Sequence, residues 1–296
     1  MADKFKVDVA INVYGKPYQT ALSILSLLKY SKKYINKIYI NIEKKQPEDF
    51  DETILKELPI DIPVIFYTPK LHLGYGGGIR EKPIIYSFLC KFDFFRHSIR
   101  YQYAWEKSSA KYLFIMHNDM VFHKDIIGNY LASIDDKIAV GTVGQCWNCP
   151  AYEKYCDSEK YLKFRPSNSQ LIEMYHGWHA NRAVIKGLVS EKGINWPLPE
   201  CRLNEMAALF NLEIAKRITM PKGKVVPFGT FALDTGTLWF QQISLLGYEV
   251  RHNAFSNYAT HGLFNITRSG NGSLGDKKLY DEEEAQAKEM IDNVAY

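Results

Sequence analysis

Short apolar runs separated by turn residues set the pattern of the first half of the chain. Val7-Asp8-Val9-Ala10-Ile11-Asn12-Val13 alternates and then becomes apolar, as a buried first strand does. Tyr14-Gly15-Lys16-Pro17 breaks it, and Thr20-Ala21-Leu22-Ser23-Ile24-Leu25-Ser26-Leu27-Leu28 carries apolar residues at helical spacing. Lys37-Ile38-Tyr39-Ile40-Asn41-Ile42 reads as a second strand and Val64-Ile65-Phe66-Tyr67 as a third, with a short helix over 51–58 closed by Pro59. Strands and helices in alternation predict a parallel sheet with right-handed crossovers. A Gly-rich loop, Leu73-Gly74-Tyr75-Gly76-Gly77-Gly78-Ile79-Arg80, leads into a long helical region that ends near Trp105. The apolar strand Tyr112-Leu113-Phe114-Ile115-Met116 then stops at His117-Asn118-Asp119. Ligands of open α/β sheets gather beyond the carboxyl ends of strands, so Asp119 is expected at the edge of a site.

The second half is less regular. Residues 146–168 are polar and aromatic and read as an insertion. Helices are expected over 182–189, over 203–218, and from Leu233-Asp234-Thr235-Gly236-Thr237 to Leu246-Gly247, with Tyr248-Glu249-Val250 as a last strand. Ser269-Gly270-Asn271-Gly272-Ser273 reads as a linker and 276–296 as a charged terminal helix. Ala287, Met290, Ile291 and Val294 give that helix an apolar side for docking on the body or on a second copy, which would make a homo-oligomer.

With 296 residues, 46% hydrophobic and 24% charged, the chain is sized for one large α/β domain. The net charge of +4 is modest and Lys and Arg are scattered, which argues against a nucleic-acid partner. The charged start, Met1-Ala2-Asp3-Lys4-Phe5-Lys6, lacks the apolar core of a signal peptide. No run approaches the roughly 18 apolar residues of a spanning helix. The expected compartment is the cytoplasm, free or peripheral at the inner membrane face. There the five cysteines stay reduced or hold metal. Cys146-x-x-Cys149 has zinc-ligand spacing, and Cys156 and Cys201 would complete a structural Zn²⁺ site; buried thiols are the alternative.

An apolar strand that ends in an amide and a carboxylate suits Mn²⁺ or Mg²⁺, which take oxygen ligands and borrow phosphate oxygens from a substrate. Asp119 is the candidate ligand and Asn118 a candidate nucleotide contact, against the plain alternative of a polar turn. Backbone amides of the loop 74–78 can approach phosphate, but the Gly-Lys-Ser/Thr ending of a P-loop is missing. Asp234 reads either as a general base or as a helix N-cap.

Taken in order, these segments resemble family 2 and related GT-A glycosyltransferases over roughly residues 7–265. The resemblance implies that Asn12, Val13, Tyr14 and Gly15 hold the base and ribose. Glu43 would contact the nucleoside, with a UDP-sugar as the first choice of donor. Ser98-Ile99-Arg100-Tyr101-Gln102 is similar to the Ala-Arg-Asn-x-Gly segment, which gives Arg100 the charge of the leaving diphosphate. The Asp-x-Asp metal motif falls on His117-Asn118-Asp119, where His117 is a departure, and His261 matches a histidine that completes the metal shell. Leu233-Asp234 with Leu246-Gly247-Tyr248 resembles the Glu-Asp base motif; Asp234 matches the base and Leu233 departs from it. His176, Trp178 and His179 would line the donor-sugar and acceptor pocket.

The implied fold is GT-A, a Rossmann-like mixed, mainly parallel sheet flanked by helices. One catalytic domain over 1–267 would divide into a nucleotide-sugar-binding half, 1–125, and an acceptor-binding half, 126–267, followed by the linker and helix of 268–296. The implied activity is inverting, metal-assisted transfer of a sugar from a nucleotide diphosphate to a glycan or lipid-linked acceptor in polysaccharide assembly. Two rivals remain. One is a sugar-phosphate nucleotidyltransferase, for which the turn Tyr14-Gly15-Lys16 is sparse. The other is an inactive glycan-binding or scaffold protein, favoured by His117 and Leu233.

Overall fold

A computed structural model describes residues 6–47, 49–73, 83–152, 154–179, 182–193, 196–262 and 275–293. The Gly-rich loop 74–78 and the linker 269–273 lie outside the described residues. The strands are β1 (Val7–Val13), β2 (Ile35–Ile42), β3 (Val64–Tyr67), β4 (Tyr112–Met116), β5 (Met120–Phe122), β6 (Ala139–Val143), β7 (Leu203–Asn211), β8 (Val250–His252) and β9 (Ala259–His261). The helices are α1 (Pro17–Ser31), α2 (Thr53–Lys56), α3 (Pro83–Leu89), α4 (Asp93–Arg96), α5 (Gln102–Lys107), α6 (Ile126–Ser133), α7 (Asn168–Tyr175), α8 (Arg182–Ile185), α9 (Leu212–Ile218), α10 (Thr237–Leu245) and α11 (Lys277–Asn293).

Seven strands form one sheet in the order β3-β2-β1-β4-β7-β6-β8. Its pairs are parallel except at β7, which runs antiparallel to both β4 and β6. β5 and β9 form a separate antiparallel ribbon. This is the mixed, mainly parallel sheet flanked by helices expected from the sequence.

Alternation along the strands decides which layer each residue joins. Val7, Val9, Ile11 and Val13 of β1 pack with Ile24, Leu27 and Leu28 of α1. Ala10 points the other way, to a cluster with Leu113, Ile115, Phe210, Trp105 and Trp239. A sheet covered on both faces needs near-continuous apolar strands, and β4 is one. Asp8 and Asn12 are the polar exceptions in β1; Asp8 is buried, and its carboxylate accepts from Ser108 Oγ at 2.7 Å and Asn36 Nδ2 at 2.9 Å.

Three sequence expectations change. The helix expected over 203–218 is the strand β7 followed by α9. Ala, Leu and Met there favour helix locally, but burial between β4 and β6 overrides propensity. The long helical region before Trp105 is three short helices, and Tyr101, in left-handed conformation at φ 64°, separates the last of them. The final edge strand starts at Val250, two residues beyond the expected start, and β9 follows it.

The short helices are tied by a buried knot. Arg96 Nε and Nη2 donate to the two Glu106 oxygens at 2.5 and 2.9 Å, while His97 and Gln102 lie at 3.0 and 2.8 Å. Burial pushes the Glu106 carboxyl up, but His97, Arg96 and Gln102 together outweigh it and leave it at about 2, against an ordinary 4.5. A depressed folded value adds stability above the unfolded value and loses it as pH falls toward the folded one. Glu106→Gln is therefore expected to lose about 3 kcal/mol at pH 7, with the gap to wild type closing between pH 4.5 and pH 2 in urea melts.

α11 docks on the chain's own body. Tyr280 Oη accepts from Lys16 N at 2.9 Å, and Glu284 accepts from Tyr18 N and Gln19 N at 2.8 and 3.2 Å. A carboxylate at the positive end of α1 is favourable. Ala287 is fully buried and Ile291 packs on the first cluster, so this side of α11 docks on the body at α1; Val294 lies outside the described residues. Among the described residues no helix is long and apolar enough to cross a membrane.

Candidate functional site

β4 ends at Met116, and the chain turns through His117-Asn118-Asp119 into β5. β5 pairs with β9 so that Met120 lies opposite His261. This ribbon brings His261 to the two residues that end β4. Asp119 Oδ1 lies 3.1 Å from His261 Nε2 and 3.8 Å from His117 Nδ1, and the two imidazole nitrogens are 3.3 Å apart. Among the described residues this is the one set of ligand atoms that converges on a common point. Such separations match the edges of a coordination shell with bonds of about 2.0–2.2 Å. Asp119 Oδ1 and His261 Nδ1 are buried without a hydrogen-bond partner. Two imidazoles facing an orphaned carboxylate oxygen fit a divalent first-row cation.

Burial pushes the Asp119 carboxyl up, but His261, Lys16 and His117 pull further down and hold it well below the usual carboxylate range. It stays ionised. Lys16 Nζ reaches Asp119 Oδ2 at 2.7 Å, which leaves Oδ1 for the imidazoles. Gly15 and Lys16 are both left-handed, at φ 62° and 58°. Glycine takes that conformation freely, whereas lysine is strained in it, a cost typical of functional turns. Asn118 fastens the same turn, donating to Gly15 O at 3.2 Å and Thr20 Oγ1 at 3.1 Å.

On the other side stands Glu205, buried at the amino end of β7, with Oε1 3.4 Å from His117 Nε2. Burial raises its carboxyl, and Arg202 and then His117 overcome that and hold it well below the usual range. A carboxylate on Nε2 directs the Nδ1 lone pair toward Asp119 and His261. Arg202, only 2% exposed, donates to Glu205 at 2.5 Å, to Thr235 O at 3.2 Å and to Asp234 Oδ2 at 2.7 Å. Asp234 is thus the far end of a continuous chain, Asp119–His261–His117–Glu205–Arg202–Asp234. Gln145 also donates to its Oδ2, and Thr235 N to its Oδ1. It is not a helix cap: Gly236 caps α10.

A cleft of about 500 Å³ opens beside this chain, lined by Asn12, Glu43, His72, Arg100, Phe231 and Thr235 among others. Glu43 Oε1 accepts from Asn12 Nδ2 at 2.8 Å and from Arg100 Nε and Nη2 at 3.0 and 2.8 Å. Asn41 Nδ2 donates in turn to Asn12 Oδ1. Residues from the ends of β1 and β2 and from the segment before α5 therefore meet in this cleft, with Arg100 paired to Glu43.

Other expected residues lie elsewhere. The Val13 side chain is buried in the first cluster; only its carbonyl faces this region, accepting from Gln46 and Glu43. Gly15 N donates to Gln46 at 2.7 Å. Tyr14 is half-buried beside that turn. Trp178 donates to Asn148 O at 2.9 Å and packs on a small separate cluster, with His179 against its ring. His176 is exposed at the end of α7. Cys146, Cys149, Cys156 and Cys201 are free thiols around one pocket.

The sequence alone did not mark His117 as a candidate ligand, nor Lys16, Arg202 and Glu205 as its neighbours. His-x-Asp keeps the two-residue spacing of Asp-x-Asp, which puts both side chains on one side of an extended segment. Glu205 was hidden by the helix assigned to β7.

No family's sequence profile and no curated protein sequence matches the chain. Among solved structures it is similar to the mannosyltransferase PcManGT from Pyrobaculum calidifontis, in complex with GDP-Man and Mn²⁺, at 11% identity over 86% of this chain and 56% of that one, TM-score 0.49. It is similar to the galactosyltransferase LgtC in complex with donor and acceptor sugar analogs at 10% identity over 71% and 59%, TM-score 0.37. The mannosyltransferase Ktr4p from S. cerevisiae matches at 14% over 87% and 70%, TM-score 0.43. The chain thus spans 56% and 59% of the first two. At these identities and TM-scores the likeness is one of overall architecture alone.

Proposed function

We propose that the chain is a metal-assisted glycosyltransferase that moves a sugar from a nucleoside diphosphate to a hydroxyl of a glycan or lipid-linked acceptor. The observation that carries this reading is the convergence of His117 Nδ1, Asp119 Oδ1 and His261 Nε2 at the carboxyl end of β4. His117, which on sequence favours an inactive scaffold, supplies the third ligand atom of this set. His117, Asp119 and His261 would hold Mn²⁺. When bound, the cation supplies Lewis-acid stabilisation of the charge on a leaving diphosphate.

The chain's own groups divide the remaining work. Asn12 and Glu43, fixed by Arg100, form the nucleoside end of the cleft. Lys16 keeps a positive charge beside Asp119, where a diphosphate would lie. Asp234 is the candidate base for the acceptor hydroxyl: Arg202 and Gln145 hold Oδ2, and Oδ1 takes only the neighbouring Thr235 N–H. Attack with Asp234 opposite the leaving group inverts the anomeric centre. Asp234→Asn should keep donor binding and lose transfer; unchanged turnover removes Asp234 from the base role.

Two imidazoles favour Mn²⁺ over Mg²⁺. Sugar release from a panel of nucleotide sugars is expected with Mn²⁺, to fall on chelation, and to need at least about tenfold more Mg²⁺ for half-saturation. Equal Mg²⁺ and Mn²⁺ requirements would contradict the ligand set. Glu205→Gln should weaken Mn²⁺ binding by about 10–100-fold, read by titration of the free-ion paramagnetic signal. The same substitution added to His117→Ala should change nothing further.

A further inference from the structure

β6 ends at Val143 and β7 begins at Leu203, and the long segment between them leaves and returns through one neck. At the neck Gly144 N donates to Arg202 O at 2.7 Å and Gln145 N to Glu200 O at 2.8 Å. The segment carries a small core of its own, with Cys149, Ala151, Leu171, Tyr175, Ala183, Val189 and Leu198 as its buried members. So few apolar side chains hold a segment of this length weakly, and small cores are usually braced by a cross-link or a metal.

All four cysteines of this segment sit at its neck. Cys146, Cys149 and Cys156 come from the outgoing strand of chain and Cys201 from the returning one, yet they line a single pocket of about 400 Å³. Each thiol lies within electrostatic reach of the other three. Cys146 opens a tight 3₁₀ turn, closed by Cys149 N donating to Cys146 O at 2.9 Å. A Cβ on Gly144 would lie 2.7 Å from Cys146 Sγ, so that sulfur needs a bare backbone beside it.

We propose that Cys146, Cys149, Cys156 and Cys201 bind one thiophilic divalent cation, Zn²⁺, in a tetrahedral structural site separate from the His117–Asp119–His261 set. Four cysteines on the wall of one pocket supply the sulfur donors that such a cation takes. The cation would draw the sulfurs inward from the pocket wall and displace their protons to solvent. Bound there, it clamps the two strands of the neck. Gln145 and Arg202, which hold Asp234, stand directly beside the clamp. The proposal is independent of the transferase reading.

The test uses the full chain carrying His117→Ala, so that zinc on the imidazole set does not contribute. Metal analysis after dialysis is expected to give about one zinc per chain. Co²⁺ in its place should show a thiolate charge-transfer band and the visible bands of a tetrahedral site. Cys149→Ser and, separately, Cys156→Ser should each lower zinc at least about tenfold. The Co²⁺ spectrum needs no cysteine variant and decides the matter if the variants fail to fold. A chain with under a tenth of an equivalent and no charge-transfer band overturns the proposal, as does a disulfide among the four or zinc retained without Cys149.

Discussion

Replacing Asp119 with alanine is expected to abolish Mn²⁺ binding and to lower sugar transfer on the order of a thousand-fold. Asp119 supplies the one anionic atom of the set, Oδ1, and without it two neutral imidazoles face the cation. Several kcal/mol of charge stabilisation on the leaving group go with it. The substitution also strands Lys16, whose ammonium is buried against Asp119 Oδ2. Asp119→Asn keeps the shape and separates the two effects: it should recover folding while Mn²⁺ binding stays lost. The local backbone is held apart from the side chain, by Gly262 N donating to Asp119 O at 2.6 Å, and this bond needs no carboxylate. A variant with near-normal Mn²⁺ affinity would show that the converging atoms are not the metal site.

Arg202→Met is expected to cost about 3–5 kcal/mol of folding stability, read from urea unfolding. Arg202 is the buried cation between Glu205 and Asp234, and it also donates to the Thr235 carbonyl. Its removal leaves the Glu205 carboxylate buried beside His117 alone, and an uncompensated buried charge is far costlier than a missing attraction. Pairing the change with Glu205→Leu should recover part of the loss, since no orphan charge remains. A loss under about 1 kcal/mol would mean that Glu205 is neutral in the fold. The same residue joins stability to function, because Arg202 aligns Asp234 as well as Glu205.

Much of the fold could be read from residues whose local pattern agrees with their burial. β1 and β4 are bounded as their apolar runs imply, and the turn after β4 lies at the carboxyl end of the sheet. β7 could not be read this way. Leu203-Asn204-Glu205-Met206-Ala207-Ala208-Leu209-Phe210 has good helix formers, and only its place between β4 and β6 makes it a strand. That single misreading concealed Glu205, and with it the carboxylate that orients His117. The site divided along similar lines. Asn12, Glu43 and Arg100 meet in one cleft, and Asp119 and His261 approach each other through the β5–β9 ribbon. Trp178 and His179 are drawn to a separate cluster, where the indole N–H already has the Asn148 carbonyl. Lys16 looked like turn punctuation; its ion pair with Asp119 exists only once β1 and β4 are adjacent.

Calorimetric titration of the purified chain with UDP and GDP, with and without Mn²⁺, tests the central claim most directly. Saturable binding of at least one nucleotide is expected with Mn²⁺, weakened at least about tenfold without it and absent in Asp119→Ala. A folded wild-type chain that binds neither Mn²⁺ nor any nucleoside diphosphate would contradict the account.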